Sequence, residues 1–149
     1  MSNFQRTAKF LTAAQKKVGD SKHLSVQIGV HLEEIAEFLD EVAIAGSNAD
    51  NDSLILVATR LKGLAHRIKQ GSTLIQIRNR TRALDALCDS EVTGNGVAFL
   101  AGFKKEQADD RVLDSNESKL NADGTAVILP GGKIGKGPAY KAPSLADLT

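Results

Sequence analysis

Between Leu24 and Ala45 the apolar residues Leu24, Ile28, Leu32, Ile35, Leu39 and Val42 recur at spacings of three and four. A helix turns once in 3.6 residues, so the six share one face, and that face must be covered by other helices before the segment is stable. The surface left over is strongly acidic: HLEEIAEFLDEV carries Glu33, Glu34, Glu37, Asp40 and Glu41 within nine residues. Positions three or four apart are neighbours on a helix, which lines up Glu34, Glu37 and Glu41 and sets Glu33 beside Glu37. Like charges at that spacing repel by a few tenths of a kcal/mol, roughly, per pair in water, a cost that a divalent cation relieves. Taken alone, such a run also describes an ordinary solvated helix face.

The rest of the chain supplies the partners this helix needs. Hydrophobic residues make up 42% of the 149 but aromatics only 4%, with no Trp, so the apolar material is Leu, Ile, Val and Ala, which suits packed helices. Phe4, Ala8, Leu11, Ala14 and Val18 mark a first helix stopped by Gly19 and Asp20. A third helix is expected from about Ser53 to Gln70, with Asp50, Asp52 or Ser53 as its N-cap and Gly71 as its end. Arg78 to Phe99 gives a fourth, carrying Leu84, Leu87, Val92 and Val97, with Gly94 and Gly96 marking a close approach or a kink. Lys104 to Ser115 gives a fifth. From Asn116 to Pro143 small residues, Gly, Pro and Lys take over, and TAVILPGGKIGKG reads as two short strands about a Pro-Gly-Gly turn or as an ordered loop. The expected fold is all-α, a four- to five-helix bundle over residues 1–115. Residues 116–149 add an extended basic arm or small hairpin belonging to the same domain.

A second acidic pair changes the weight of the first. In TRALDALCDSEV, Asp85 and Asp89 lie four apart among Leu84, Leu87 and Val92, where an unpaired carboxylate is costly to bury. Glu34, Glu37, Asp85 and Asp89 from two facing helices would offer hard oxygen ligands suited to Mg²⁺ or Mn²⁺, with water positions left for phosphate oxygens. His23, His31 and His66 have no metal-ligand spacing, and the lone Cys88 is expected to be a buried structural thiol. Nineteen basic against eighteen acidic residues leave a net charge of +1, so no global field favours nucleic acid. No apolar run approaches the roughly 18 residues of a membrane span. The single Cys and the polar start MSNFQRTAKF point to a reducing, cytoplasmic setting.

The acidic segments, in this order, resemble those of a known superfamily. HLEEIAEFLDEV is similar to the EExxE motif, and DALCD to the following acidic motif, of the all-α nucleoside triphosphate pyrophosphohydrolases, which include MazG-like proteins and dimeric dUTPases. DSNESKL, DGT and GGKIGKGPAYKAP resemble the closing pattern of phage-encoded MazG-like proteins, so the likeness runs from about Leu24 to Pro143. One position departs from the pattern: three residues before Asp89 stands Ala86, and the nearest acid is Asp85.

The resemblance implies Mg²⁺-dependent hydrolysis between the α and β phosphates, giving a nucleoside monophosphate and pyrophosphate. It makes Glu34, Glu37, Asp85 and Asp89 the metal ligands, with Glu33 orienting or deprotonating the attacking water or standing as an outer carboxylate. Asn116, Lys119, Lys133, Lys136 and Tyr140 become nucleotide contacts. It also implies a homodimer or homotetramer, in a bacterial host cytoplasm if the chain is phage-encoded. The rival expectation is a non-catalytic helical interaction protein whose acidic helix binds a basic partner. GGKIGKG lacks the spacing and closing Ser or Thr of a P-loop.

Overall fold

A computed structural model describes residues 1–149. The chain is all-helical: α1 (Asn3–Ala13), α2 (Ser21–Asp40), α3 (Asn48–Lys69), α4 (Arg80–Leu100) and α5 (Lys105–Glu117), with single 3-10 turns at Pro130–Gly132 and Ala146–Leu148. It divides into two compact units. One comprises Lys17–Gln76 with Leu129–Lys133, the other Met1–Lys16, Ile77–Ile128 and Ile134–Thr149.

The first unit is the antiparallel hairpin of α2 and α3. Asp20 caps α2 by accepting from the His23 amide at 2.8 Å. The helix stops at Asp40, short of the Ala45 that periodicity suggests, because Ile44 is taken out of helical register by Asn51. The Ile44 amide donates to Asn51 Oδ1, and Asn51 Nδ2 donates back to the Ile44 carbonyl, both at 2.7 Å. Ser47, rather than Asp50, Asp52 or Ser53, caps α3 by accepting from the Asp50 amide at 3.2 Å, so α3 begins five residues earlier than expected. The seam is built from small residues: Ser25, Val26, Gly29 and Ala36 of α2 and Ala58, Ala65 and Ile68 of α3 are all buried. Gly29 sets the distance, since a Cβ there would stand 2.9 Å from Lys69 Cγ and 3.2 Å from the Ala65 carbonyl oxygen. Two ion pairs flank the seam seven residues apart on each helix, Asp40 with Lys62 and Glu33 with Lys69.

In the second unit α1 packs on α5 through Arg6, whose guanidinium donates to Asp110, Asp114 and Glu117 at 3.3, 2.5 and 2.9 Å. Those carboxylates, Glu117 foremost, hold its pKa above the ordinary arginine value. The chain end is tied to α5 as well: Arg111 donates to both oxygens of Asp147, at 2.5 and 2.8 Å, and Leu148 is buried. In the arm, one isolated antiparallel bridge joins Leu120 to Ala126 and another, Ile128↔Ile134, spans the Pro-Gly-Gly turn, an ordered loop rather than a pair of strands.

α4 stands apart. Asn79 caps it by accepting from the Arg82 amide, yet Ala98 is its only buried residue. Leu84, Leu87, Val92, Val97, Phe99 and Leu100 are all exposed, and a Cβ at Gly94 or Gly96 would meet nothing within 4 Å, so neither glycine serves a close approach within the chain. Five of the eight buried apolar residues are alanines, while the large apolar side chains lie mostly outside. No helix is long and apolar enough to cross a membrane.

Gly29→Ala should force α3 outward and lower stability by about 1–3 kcal/mol, measured as denaturant midpoint at constant m-value. Asp147 is held by Arg111 down to about 2 from its ordinary 3.8. A depressed carboxylate stabilises the fold above its unfolded value, so the stability gap between wild type and Asp147→Asn should be full above about pH 4. The gap should close as pH falls towards 2, a trend that thermal melts across this window would reveal.

Candidate functional site

Three segments of the hairpin unit converge on Glu33. α2 presents the carboxylate, the last turn of α3 brings the Lys69 ammonium to Oε1, and the loop after Pro130 brings Lys133 Nζ to 3.6 Å from Oε2. Lys69 is 13% exposed at its side chain and Glu33 26%, whereas Lys133 is half exposed. Burial pushes the Glu33 carboxyl up, but Lys69 and Lys133 together outweigh it and leave the pKa below the usual glutamate value. Glu33 is therefore a firm carboxylate at neutral pH, better fitted to hold cations in place than to take a proton. The loop reaches it because Gly131 adopts φ +85°, and a Cβ there would sit 2.8 Å from the Lys69 carbonyl oxygen.

Glu34 and Glu37 follow on the same helix and face outward, both exposed. Two exposed carboxylates three residues apart are hard donors that water and phosphate oxygens can reach, a set that fits Mg²⁺, which is commonly bound by one or two carboxylates with substrate oxygens completing the shell. Asp85 and Asp89 lie on α4, in the other unit, and are likewise exposed. Their expected burial among Leu84, Leu87 and Val92 does not occur within the chain, because nothing covers that part of α4. Cys88 is exposed for the same reason, correcting its expected role as a buried thiol. No group of three or more His, Cys, Asp or Glu side chains comes together in the chain.

The remaining candidates form a second cluster, within the unit of α4 and α5. Lys119 Nζ donates to Asn116 Oδ1 at 2.6 Å across one turn at the end of α5. The Gly137 amide donates to the Lys119 carbonyl at 3.1 Å, in a fit so close that a Cβ at Gly137 would lie 2.5 Å from that oxygen. Next to Gly137, Lys136 Nζ stands 4.5 Å from the centre of the Tyr140 ring, a cation–π contact. Ser118 Oγ accepts from the Lys141 amide at 2.9 Å and fastens the following residues. Two local pairs, Asn116 with Lys119 and Lys136 with Tyr140, are thus joined through the Gly137–Lys119 backbone bond, while Lys133 is on Glu33.

Lys69 is the participant that sequence analysis passed over. A signal was present: Lys62 and Lys69 are seven apart, as are Glu33 and Asp40, so antiparallel helices can pair them both. Gly131→Ala should free the loop from α3, and amide exchange at residues 129–133 should accelerate at least about tenfold while the α2 and α3 amides keep their protection. Searches for related proteins found no matching family model, no matching curated protein and no matching solved structure.

Proposed function

We propose that the chain is a Mg²⁺-dependent nucleoside triphosphate pyrophosphohydrolase that works as a homodimer or homotetramer. The supporting observation is the seating of Lys133, a cation of the basic arm, on the carboxylate adjoining Glu34. Acidic helix and arm are separate in sequence, and a hydrolase of this kind needs both: carboxylates for the metal and cations for the phosphates. Bound Mg²⁺ would supply charge neutralisation and a lowered pKa for the attacking water.

In this reading Glu34 and Glu37, with Asp85 and Asp89, are the metal ligands, and Mn²⁺ could replace Mg²⁺. Glu33 orients the water or its neighbours through Lys69 and Lys133 rather than acting as the base. A water oxygen attacks the α phosphorus and gives up its proton to the surrounding solvent, the bond from that phosphorus to the bridging oxygen breaks, and pyrophosphate departs with the electron pair. Lys133 is the cation suited to receive that charge. Asn116, Lys119, Lys136 and Tyr140 are the proposed contacts to the nucleotide.

The non-catalytic alternative, a helical interaction protein whose acidic helix α2 binds a basic partner, needs no metal. Pyrophosphate release from a panel of ribo- and deoxyribonucleoside triphosphates separates the two. The hydrolase should release it with Mg²⁺ and not with EDTA, and Glu37→Gln or Asp89→Asn should lower the rate at least about 100-fold. No release from any nucleotide, with Mg²⁺ leaving the melting temperature unmoved, favours the interaction protein.

A further inference from the structure

α4 cannot be at rest in water. Leu84, Leu87, Val92, Val97, Phe99 and Leu100 are between 48% and 85% exposed. Each leaves on the order of 100 Å² of apolar surface wet, so α4 offers roughly 600 Å² per chain summed over all its sides. These residues occupy more than one side of the helix, so one contact cannot dry them all. The question is which side meets which partner.

Four residues answer it. Arg80, Leu84, Leu87 and Glu91 follow one another at spacings of four, three and four, the heptad rhythm that keeps a single face along a helix. The face reads cation, leucine, leucine, anion. Inverted about the point midway between Leu84 and Leu87, it becomes its own complement: Leu84 falls opposite Leu87, and Arg80 opposite Glu91. All four are exposed, and neither Arg80 nor Glu91 takes part in an ion pair of the chain. Within one helix Arg80 and Glu91 are eleven residues, about 16 Å, apart and cannot meet. An open apolar groove of about 370 Å³, lined by Ile77, Arg80, Thr81, Ala83, Leu84 and Leu87, runs along the same face.

We propose that this face of α4 docks on the same face of a second copy, antiparallel and about a two-fold axis between Leu84 and Leu87. Each groove receives the other chain's leucines, and two equivalent Arg80–Glu91 pairs close the ends of the seam. Self-complementarity is what a two-fold contact demands, since one patch must serve as both halves. Asp85 and Asp89 lie on another side of the helix, clear of the seam. The inference does not rest on the hydrolase reading and stands whether or not any nucleotide is cleaved.

Charge reversal tests it. Solution mass by light scattering should show wild type as a dimer or a multiple of one. Arg80→Glu and Glu91→Arg, each at an exposed position, should singly raise the dissociation constant of the α4 contact by at least about tenfold, because each sets two like charges face to face twice per dimer. The double variant Arg80→Glu/Glu91→Arg should restore association to within about threefold of wild type, which only pairing between chains can do. Circular dichroism on all three variants confirms that helix content is retained. A monomeric wild type, single variants that associate as wild type does, or a double variant no better than the singles would overturn the proposal.

Discussion

The close approach of α2 and α3 at Gly29 governs the hairpin unit. With no side chain at that position, the last turn of α3 comes near enough for Ala65 and Ile68 to be buried and for the Lys69 stem to lie across the glycine. That contact aims the Lys69 ammonium at Glu33, and the Lys69 carbonyl forms the seat for Gly131. Lys133 then arrives two residues later. A glycine in α2, a lysine in α3 and a glycine in the arm are one device, each of whose parts is unremarkable alone.

This explains what could and could not be read from the amino-acid order. Helix type and number follow from apolar spacing in α1 and α2, where periodicity is set by local geometry, and from cap and stop residues in α3. Boundaries were harder where a side chain overrules propensity, as Asn51 does for the end of α2 and Ser47 for the start of α3. Of the site, the acidic face of α2 was legible, since three- and four-residue spacing states which carboxylates are neighbours. The joining of the Asn116–Lys119 and Lys136–Tyr140 pairs could not be derived from spacing, because it depends on Gly137 folding back onto Lys119. Lys69 was missed because its partner lies 36 residues away and only the antiparallel pairing joins them.

The contrast between the helices is energetic. α2 and α3 bury small residues against each other, which gains proximity but little apolar area; alanine contributes far less than leucine or phenylalanine when removed from water. α4 has the large side chains and leaves them wet. Sequence logic that assumed burial for Leu84, Leu87 and Val92, and so for Asp85, Asp89 and Cys88 among them, assigned α4 to a core that one chain does not provide. Patterning says that a residue wants to be buried; it does not say that its own chain will cover it.

The interleaved course of the chain bears on its birth. The hairpin of α2 and α3 leaves the ribosome before α4 and α5, but residues 129–133, which complete that unit, follow both of those helices. Until they emerge, Glu33 has Lys69 alone, and the seat on the Lys69 carbonyl stays open. A nascent or prematurely terminated chain therefore carries a finished helical hairpin without its second cation. The order of synthesis lets the Glu33 cluster form only after α4 and α5 have been made, although Glu33 and Lys69 both precede them in the chain.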